Sequence, residues 1–263
     1  MLIHDITHYL HTIAPAHLQE DYDNAGLIVG NPATEVTGVL LCLDTIESVV
    51  DEAIAKNCNL IIAHHPIVFR GLKRFNGSTY VERTVMKAIK NDIAIFAIHT
   101  NLDNVLHKGV NGKIAHKLGL HHPIILAPKG EYNNNIVGAG AIGELPEAME
   151  PHRFIAYLKD KMELDIVKST PFCKTKVQKI ALCGGAGVFL LADAISAEAD
   201  VFITSDIKYH EYFDANNQII IMDIGHYESE KYTIDLLYEL IINKFSTFAL
   251  QKSIINTNPI KYF

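Results

Sequence analysis

Two adjacent histidines, His64 and His65, follow a run of four apolar residues, Leu60 to Ala63, and precede Pro66. A short apolar run that ends at a proline is typical of a β-strand buried on both faces. In open α/β sheets, ligands bind at the carboxyl ends of the strands. Adjacent strand residues point to opposite faces, so both imidazoles can face one centre only if the backbone turns here. The pattern predicts either a metal-binding pair or two polar residues that merely end a strand.

Polar residues also follow the strands predicted on either side of this run. The strand Gly38 to Leu43 ends at Asp44, and the strand Ile93 to Ile98 ends at His99. Because these strands alternate with predicted helices, they should pair in parallel and end at the same edge of a sheet. We therefore expect one site to contain the polar residues at these ends. They are Asp44, His64, His65, His99 and Asp103.

A second pair of candidate ligands, His226 and Glu230, opens the last predicted helix, directly after the predicted strand Ile219 to Met222. Residues four apart share one face of a helix and can bind the same ion. Three histidines and two carboxylates can bind two divalent ions and leave positions for water, as catalytic sites do. The predicted metal ligands are His64, His65, Asp103, His226 and Glu230.

The ligand types leave the identity of the metal open, since nitrogen and oxygen donors suit Zn, Mn, Fe, Ni and Mg alike. His99 and His210 are the candidate catalytic residues, because an imidazole titrates near neutral pH and can move protons.

The composition is that of a globular protein, with 263 residues, of which 49% are hydrophobic and 20% charged. No run approaches the ~20 apolar residues that span a bilayer, and no signal peptide is visible at the N-terminus. Cys42 and Cys183 lie in apolar runs and are expected to be reduced core residues, which predicts a cytoplasmic location. The net charge of −7 argues against a broad nucleic-acid-binding face and leaves open a local basic patch. No membrane partner is expected, because no segment could span a bilayer.

An internal repeat relates two parts of the chain. Residues Val39 to His65 match Ile180 to Asp206 in residue type at an offset of 141, without a gap. Allowing a deletion, Ile93 to Thr100 then matches Ile219 to His226. Two βαβ units can also resemble each other by chance. We interpret the match as two related halves whose strand ends face a shared crevice.

The repeat predicts an α/β protein of two related lobes with mainly parallel sheets and a dinuclear metal site in the crevice between them. The first lobe is predicted to comprise residues 1–127 plus 223–263, and the second residues 128–222.

Two glycine-rich segments could suggest nucleotide or anion sites. Gly138 to Gly143 matches the GxGxxG pattern, but Glu144-Leu145-Pro146 follows it instead of a helix. We interpret residues Ile136 to Leu145 as a strand and reject a nucleotide site. Gly184 to Gly187 joins a predicted strand to a helix, and is either a tight turn or an anion site.

Four segments together resemble the signatures of the Nif-three-like family, many of whose members are named GTP cyclohydrolase 1 type 2 homologue. The segments are Ala63–Pro66, His99–Asp103, Thr204–His210 and Gly225–Glu230. The resemblance extends over nearly the whole chain and is to the short form that lacks an inserted domain. Tyr22 and Ser205 stand where tryptophan and glycine are frequent in the family.

The resemblance implies two divalent ions on the five predicted ligands and a toroidal homohexamer. It also implies a hydrolase that opens the guanine ring of GTP, although a phosphoester substrate fits the same ligands. A non-enzymatic metal-binding hexameric scaffold or regulatory interaction protein is the alternative.

Overall fold

The computed structural model describes residues 1–263. The α-helices are α1 (Ile3–Ile13), α2 (Glu47–Ala55), α3 (Tyr80–Lys90), α4 (Thr100–Asp103), α5 (Val110–Lys117), α6 (Pro151–Met162), α7 (Leu191–Ser196), α8 (His226–Glu230) and α9 (Thr233–Ile242). The strands are β1 (Gly26–Val29), β2 (Gly38–Cys42), β3 (Leu60–Ala63), β4 (Ala94–Ala97), β5 (His121–Tyr132), β6 (Asn135–Met149), β7 (Lys168–Ser169), β8 (Val177–Leu182), β9 (Val201–Thr204), β10 (Ile220–Asp223) and β11 (Ala249–Lys252). None of these helices has the length and apolar character needed to cross a bilayer.

The chain forms two compact units. The first comprises Met1–Leu102 with Thr233–Phe263, and the second comprises Asp103–Tyr232. Each unit contains one β-sheet. The lobe boundaries inferred from the sequence, residues 1–127 plus 223–263 and residues 128–222, stay a prediction.

The sheet of the first unit has the strand order β1-β4-β3-β2-β11. Strands β4, β3, β2 and β11 pair in parallel, and only β1 is antiparallel to its neighbour. Strands β2, β3 and β4 are fully buried because nearly all their residues are apolar, which suits strands covered on both faces. Cys42 on β2 is buried and forms no disulfide, as expected.

The sheet of the second unit has the order β5-β6-β8-β9-β10-β7 and is mixed. Only the β8–β9 and β9–β10 pairings are parallel; the other three are antiparallel. The expectation of mainly parallel sheets is therefore wrong for this unit, although the α/β class is correct. The physical reason is a long hairpin that the sequence analysis did not recognise.

That hairpin joins β5 to β6 through Asn133 and Asn134, whose φ angles are 49° and 60°. Positive φ at both central residues is the requirement of a type I′ turn, which asparagine meets more readily than most residues. Within β6, a side chain at Gly138 would come within 2.1 Å of the Ala127 carbonyl oxygen of β5. The glycines of the GxGxxG pattern thus permit close strand packing, and no helix opens there.

The internal repeat is visible in the strand register. The paired residues at equivalent positions are Val39–Leu60 and Ile180–Val201, followed by Leu60–Ala94 and Val201–Ile220. The first two strands of each set are related by the offset of 141 residues, and the third strands by an offset of 126, as the sequence alignment requires. Each unit therefore contains the same three-stranded parallel arrangement in the same register.

Candidate metal centre

The backbone bends at His64 and His65, directly after the last residue of β3. Their N–H groups donate to the carbonyl oxygens of Cys42 and Leu43 at 3.2 and 3.0 Å, so both residues still pair with the segment at the end of β2. His64 is completely buried, and the two ring centroids are 4.9 Å apart. The two imidazoles therefore approach each other, although regular strand geometry would point adjacent side chains to opposite faces.

The hydrogen bonds of these rings define which nitrogen carries the proton. His64 Nδ1 lies 2.9 Å from the carbonyl oxygen of Ile98, and a carbonyl oxygen can only accept. His64 therefore donates from Nδ1, and Nε2 carries the lone pair. His65 Nδ1 lies 2.8 Å from Asp44 Oδ1, which favours the same tautomer. Metal-binding histidines usually hold their other ring nitrogen on a carbonyl or carboxylate in this way.

His99 brings a third imidazole to this cluster. Its ring centroid is 5.2 Å from those of both His64 and His65, and one ligand atom from each histidine lies within 4.8 Å of the others. The three residues, hereafter the histidine cluster, could hold a metal ion. His99, predicted to be catalytic, thus lies beside two predicted ligands.

Asp23 orients His99. Asp23 Oδ1 lies 2.8 Å from His99 Nδ1, while Oδ2 accepts hydrogen bonds from the backbone N–H and hydroxyl of Thr100. Burial raises the pKa of the Asp23 carboxyl, but the hydrogen bonds from His99 and Thr100 outweigh it and leave the pKa at about 2. Asp23 is therefore an anion at neutral pH, and it favours the tautomer of His99 in which Nδ1 donates.

The second unit contains the predicted pair on α8. His226 Nε2 lies 3.1 Å from Glu230 Oε2, so the two side chains share a helix face as their spacing predicts. His226 Nδ1 in turn lies 2.7 Å from Asp206 Oδ2. The preceding Gly225 has a φ of 88°, and its N–H donates to Asp223 Oδ1 at the end of β10. This turn places His226 at the first position of the helix.

A glycine loop, residues 184–187, packs against the same pair. Gly185 N–H donates to Ser229 Oγ at 2.9 Å, and the Gly185 carbonyl accepts from Ser205 Oγ at 2.6 Å. A methyl group at Gly185 would lie only 2.3 Å from Glu230 Oε1. The loop is a tight turn, because the N–H groups of Gly184, Gly185 and Gly187 all donate within the protein and do not form an anion site.

Comparison with known proteins identifies the family. The model of the Duf34/NIF3 (NGG1p interacting factor 3) family matches residues 1–259. The chain belongs to the Duf34/NIF3 family. A relative from Clostridium acetobutylicum, named GTP cyclohydrolase 1 type 2 homolog, is 33% identical over 260 residues, which cover 97% of this chain and 93% of the relative. A Campylobacter jejuni relative of the same name is 30% identical, with complete coverage of both chains.

Solved structures agree with this assignment. A Bacillus cereus protein related to NIF3 superposes with a TM-score of 0.91 at 25% identity, covering 100% of this chain and 99% of the other. A Staphylococcus aureus protein gives a TM-score of 0.90 at 29% identity with the same coverage. The resemblance to the family is therefore confirmed, and the mixed α/β fold with two sheets is that of solved Duf34/NIF3-related structures.

Two further predicted site residues of this Duf34/NIF3 protein are Asp103, at the end of a helix, and His210, on the exposed surface. Asp103 ends α4 and is partly buried, and its carbonyl oxygen accepts a hydrogen bond from Asn111 at 3.0 Å. His210 is exposed on a 3-10 helix, Tyr209–Ala215, where its ring contacts Tyr209 and Phe213. The roles of Asp103 as a ligand and of His210 as a proton carrier stay predictions.

The sequence analysis did not identify the three carboxylates that orient the imidazoles. Asp44, Asp23 and Asp206 are separated from their histidine partners by 21, 76 and 20 residues. Asp44 is expected in the site as a polar strand end, Asp206 lies in a segment that resembles the family, and Asp23 is assigned no role. Strand-end position is a usable signal for Asp44 and Asp206, which follow β2 and β9, but the partner of each carboxylate depends on tertiary structure.

Proposed function

We propose that this protein is a dinuclear metal-dependent hydrolase. The proposed ligands of the two divalent ions are His64, His65, Asp103, His226 and Glu230. The observation that carries the proposal is a shared hydrogen-bonding pattern, in which Nδ1 of an imidazole meets a carbonyl or carboxylate oxygen and Nε2 is left as the lone-pair nitrogen. The imidazoles with this pattern are His64, His65 and His99. His226 has a carboxylate oxygen beside each ring nitrogen, from Asp206 at Nδ1 and from Glu230 at Nε2.

The charges of the proposed ligands suit an anionic substrate. Two divalent ions carry four positive charges, whereas Asp103 and Glu230 supply two negative ones. The deficit favours a substrate that brings its own negative charge, such as a nucleotide or another phosphoester. Bound divalent ions would supply Lewis acidity and lower the pKa of water, which is the chemistry that hydrolysis of these substrates requires.

The protein's own contribution to proton transfer is assigned to His99. Because Asp23 fixes Nδ1 of this ring, Nε2 is the atom that would accept a proton and later release it. His210 is the second candidate, since its exposed ring is accessible to substrate and solvent. The names of the relatives suggest GTP as a first substrate to test, and other phosphoesters follow from the charge argument.

The deciding experiment measures metal content and turnover on the same samples. Purified protein is analysed for Zn, Mn, Fe, Ni and Mg, stripped with a chelator, reloaded with each metal, and assayed with GTP and a panel of phosphoesters. We expect two ions per chain and a hydrolysis rate that rises with metal content. A His226→Ala variant should lose metal content and hydrolysis together. His152→Ala, a substitution of an exposed histidine, serves as the control.

Two outcomes would contradict the proposal. Metal-free protein that cannot be loaded would contradict the metal site. Full loading without hydrolysis of any substrate would favour the scaffold function. Native mass spectrometry of the same samples tests the proposed homohexamer, and cell fractionation tests the proposed cytoplasmic location.

A further inference from the structure

The C-terminal segment of the chain is joined to His65 by two consecutive hydrogen bonds. Thr257 Oγ1 donates to Asp44 Oδ2 at 2.6 Å, and the other oxygen of the same carboxylate lies 2.8 Å from His65 Nδ1. Asp44 therefore has one oxygen engaged by the segment and the other by the imidazole. We call Thr257, Asp44 and His65 the C-terminal relay.

The segment that carries Thr257 is anchored to the first unit on its way to Asp44. Strand β11 pairs in parallel with β2, and Ser253 N–H continues this ladder by donating to the Leu41 carbonyl at 2.8 Å. Glu52 on α2 then accepts hydrogen bonds from the Ser253 hydroxyl and from the N–H of Ile254. Glu52 is 8% exposed, so these bonds form in a largely water-excluded place.

This anchoring fixes the position of Thr257 relative to Asp44. Residues 249–254 are held by pairing of β11 with β2 and by the hydrogen bonds of Ser253 and Ile254 to Glu52. Thr257 follows only three residues later. The Asp44 carboxylate is about a third exposed, at 34%, and without the Thr257 hydroxyl it could rotate towards solvent. Rotation would remove the acceptor from His65 Nδ1 and allow the other tautomer, in which Nε2 carries the proton.

We propose that Thr257 is a positioning residue of the metal centre, which acts through Asp44 to keep the lone pair of His65 on Nε2. The proposal rests on the proposed function in one respect, namely that His65 binds metal. The relay itself is a property of the protein without metal, and it can be tested separately.

The test compares two substitutions at one position. Thr257→Val keeps the shape and removes the hydroxyl, whereas Thr257→Ser keeps the hydroxyl and removes a methyl group. Thr37→Val is the matched control, because the Thr37 hydroxyl also donates a hydrogen bond, to the Asn57 carbonyl at 2.9 Å, at the opposite end of β2 from Asp44.

Two readouts are taken on each full-length variant. Long-range ¹H–¹⁵N spectra of the metal-free protein report the His65 tautomer, with a His65→Gln variant identifying its signals. Calorimetric titration with Zn²⁺ and with Mn²⁺ reports metal affinity. Changing an outer hydrogen-bond partner typically weakens metal binding about 10- to 100-fold, and we expect a value near 10-fold for Thr257→Val, which acts one bond further away.

The expected result is a mixed His65 tautomer and weaker metal binding in Thr257→Val, with normal behaviour of Thr257→Ser and Thr37→Val. A His65 signal unchanged in Thr257→Val would overturn the relay, whatever the metal result. A changed tautomer with no metal binding even in the unsubstituted protein would support the relay and refute only the proposed function. Equal loss in Thr257→Val and Thr37→Val would attribute the effect to general destabilisation and would also overturn the relay.

Discussion

Replacing Gly185 by alanine should strongly weaken metal binding while the protein keeps its fold. Gly185 has a φ of 65°, a conformation that costs a residue with a side chain about 1–2 kcal/mol. The added methyl carbon would also lie 2.3 Å from Glu230 Oε1, whereas carbon atoms at this position essentially never approach within 3.0 Å. One of the two groups must therefore move by at least the difference, about 0.7 Å.

The structure indicates that Glu230 would move rather than the loop. The Gly185 backbone is held at both its N–H and its carbonyl, by Ser229 and Ser205, whereas Oε1 lies at the end of a rotatable side chain. Glu230 is buried beside His226, so moving its carboxylate changes the geometry of this pair, and metal–ligand distances must be correct to within about 0.2 Å. We expect metal affinity to fall by about 100-fold or more while the fold persists.

Gly119→Ala is the matched control for backbone strain. Gly119 has a φ of 63°, and the atom nearest to an added methyl group is the Tyr157 hydroxyl at 3.4 Å, an ordinary contact. Both variants should therefore lose a similar amount of stability, about 1–2 kcal/mol, in urea unfolding of the metal-free protein.

Metal content and affinity should then differ between the two variants, with only Gly185→Ala impaired. Normal loading of Gly185→Ala, or equal losses in both, would refute the reasoning that this loop positions Glu230 for metal binding.

Three further outcomes follow from the site. Glu230→Gln should lose most of one metal equivalent in elemental analysis with little change in circular dichroism, because it removes a charge and preserves shape; unchanged stoichiometry would contradict its role as a ligand. Asp206→Asn should weaken metal binding about 10-fold in calorimetry by loosening His226. Because folding lowers the pKa of Asp23 from 3.8 to about 2, its carboxylate stabilises the fold above pH ~4, and this contribution, about 2 kcal/mol, is lost as the pH falls towards 2. Urea unfolding between pH 2 and 5 should therefore show a shallower pH dependence for Asp23→Asn than for the unsubstituted protein.

The parallel strands could be predicted from the sequence because their signal is local. Strands β2, β3 and β4 are runs of apolar residues, and burial on both faces leaves no alternation that could be mistaken for another structure. The register of β8 on β9 is the same as that of β2 on β3 at the offset of 141 residues.

The β5–β6 hairpin was missed because its signal is weak. Most residues of β5 are exposed, so its sequence is polar and resembles a connecting segment. His121, His122 and Pro123 open this strand, shortly after α5 ends at Lys117. The available signal was the Asn133–Asn134 pair between two segments of mixed polarity, which is a recognised sequence for a two-residue turn.

The final helical region also differs from its prediction. The sequence predicts one long helix from His226, but α8 ends at Glu230 and α9 begins at Thr233. The spacing of His226 and Glu230 is preserved because both belong to α8. The two side chains therefore share a helix face as predicted, although the element that carries them is a short helix of five residues.

The repeat provides equivalent backbone positions that carry different chemistry. The strand end after β3 supplies two imidazoles, His64 and His65, whereas the equivalent end after β9 supplies Ser205 and Asp206. Neither of the latter pair is a proposed ligand: Ser205 supports the loop beside Glu230, and Asp206 orients His226. One strand end therefore presents two proposed ligands. At the equivalent end, Asp206 orients a proposed ligand, His226, that follows the next strand, β10. A repeated scaffold with exchanged roles explains why the alignment predicted the three parallel strands of each unit, while the hydrogen-bonding partners of each histidine became evident only from the folded chain.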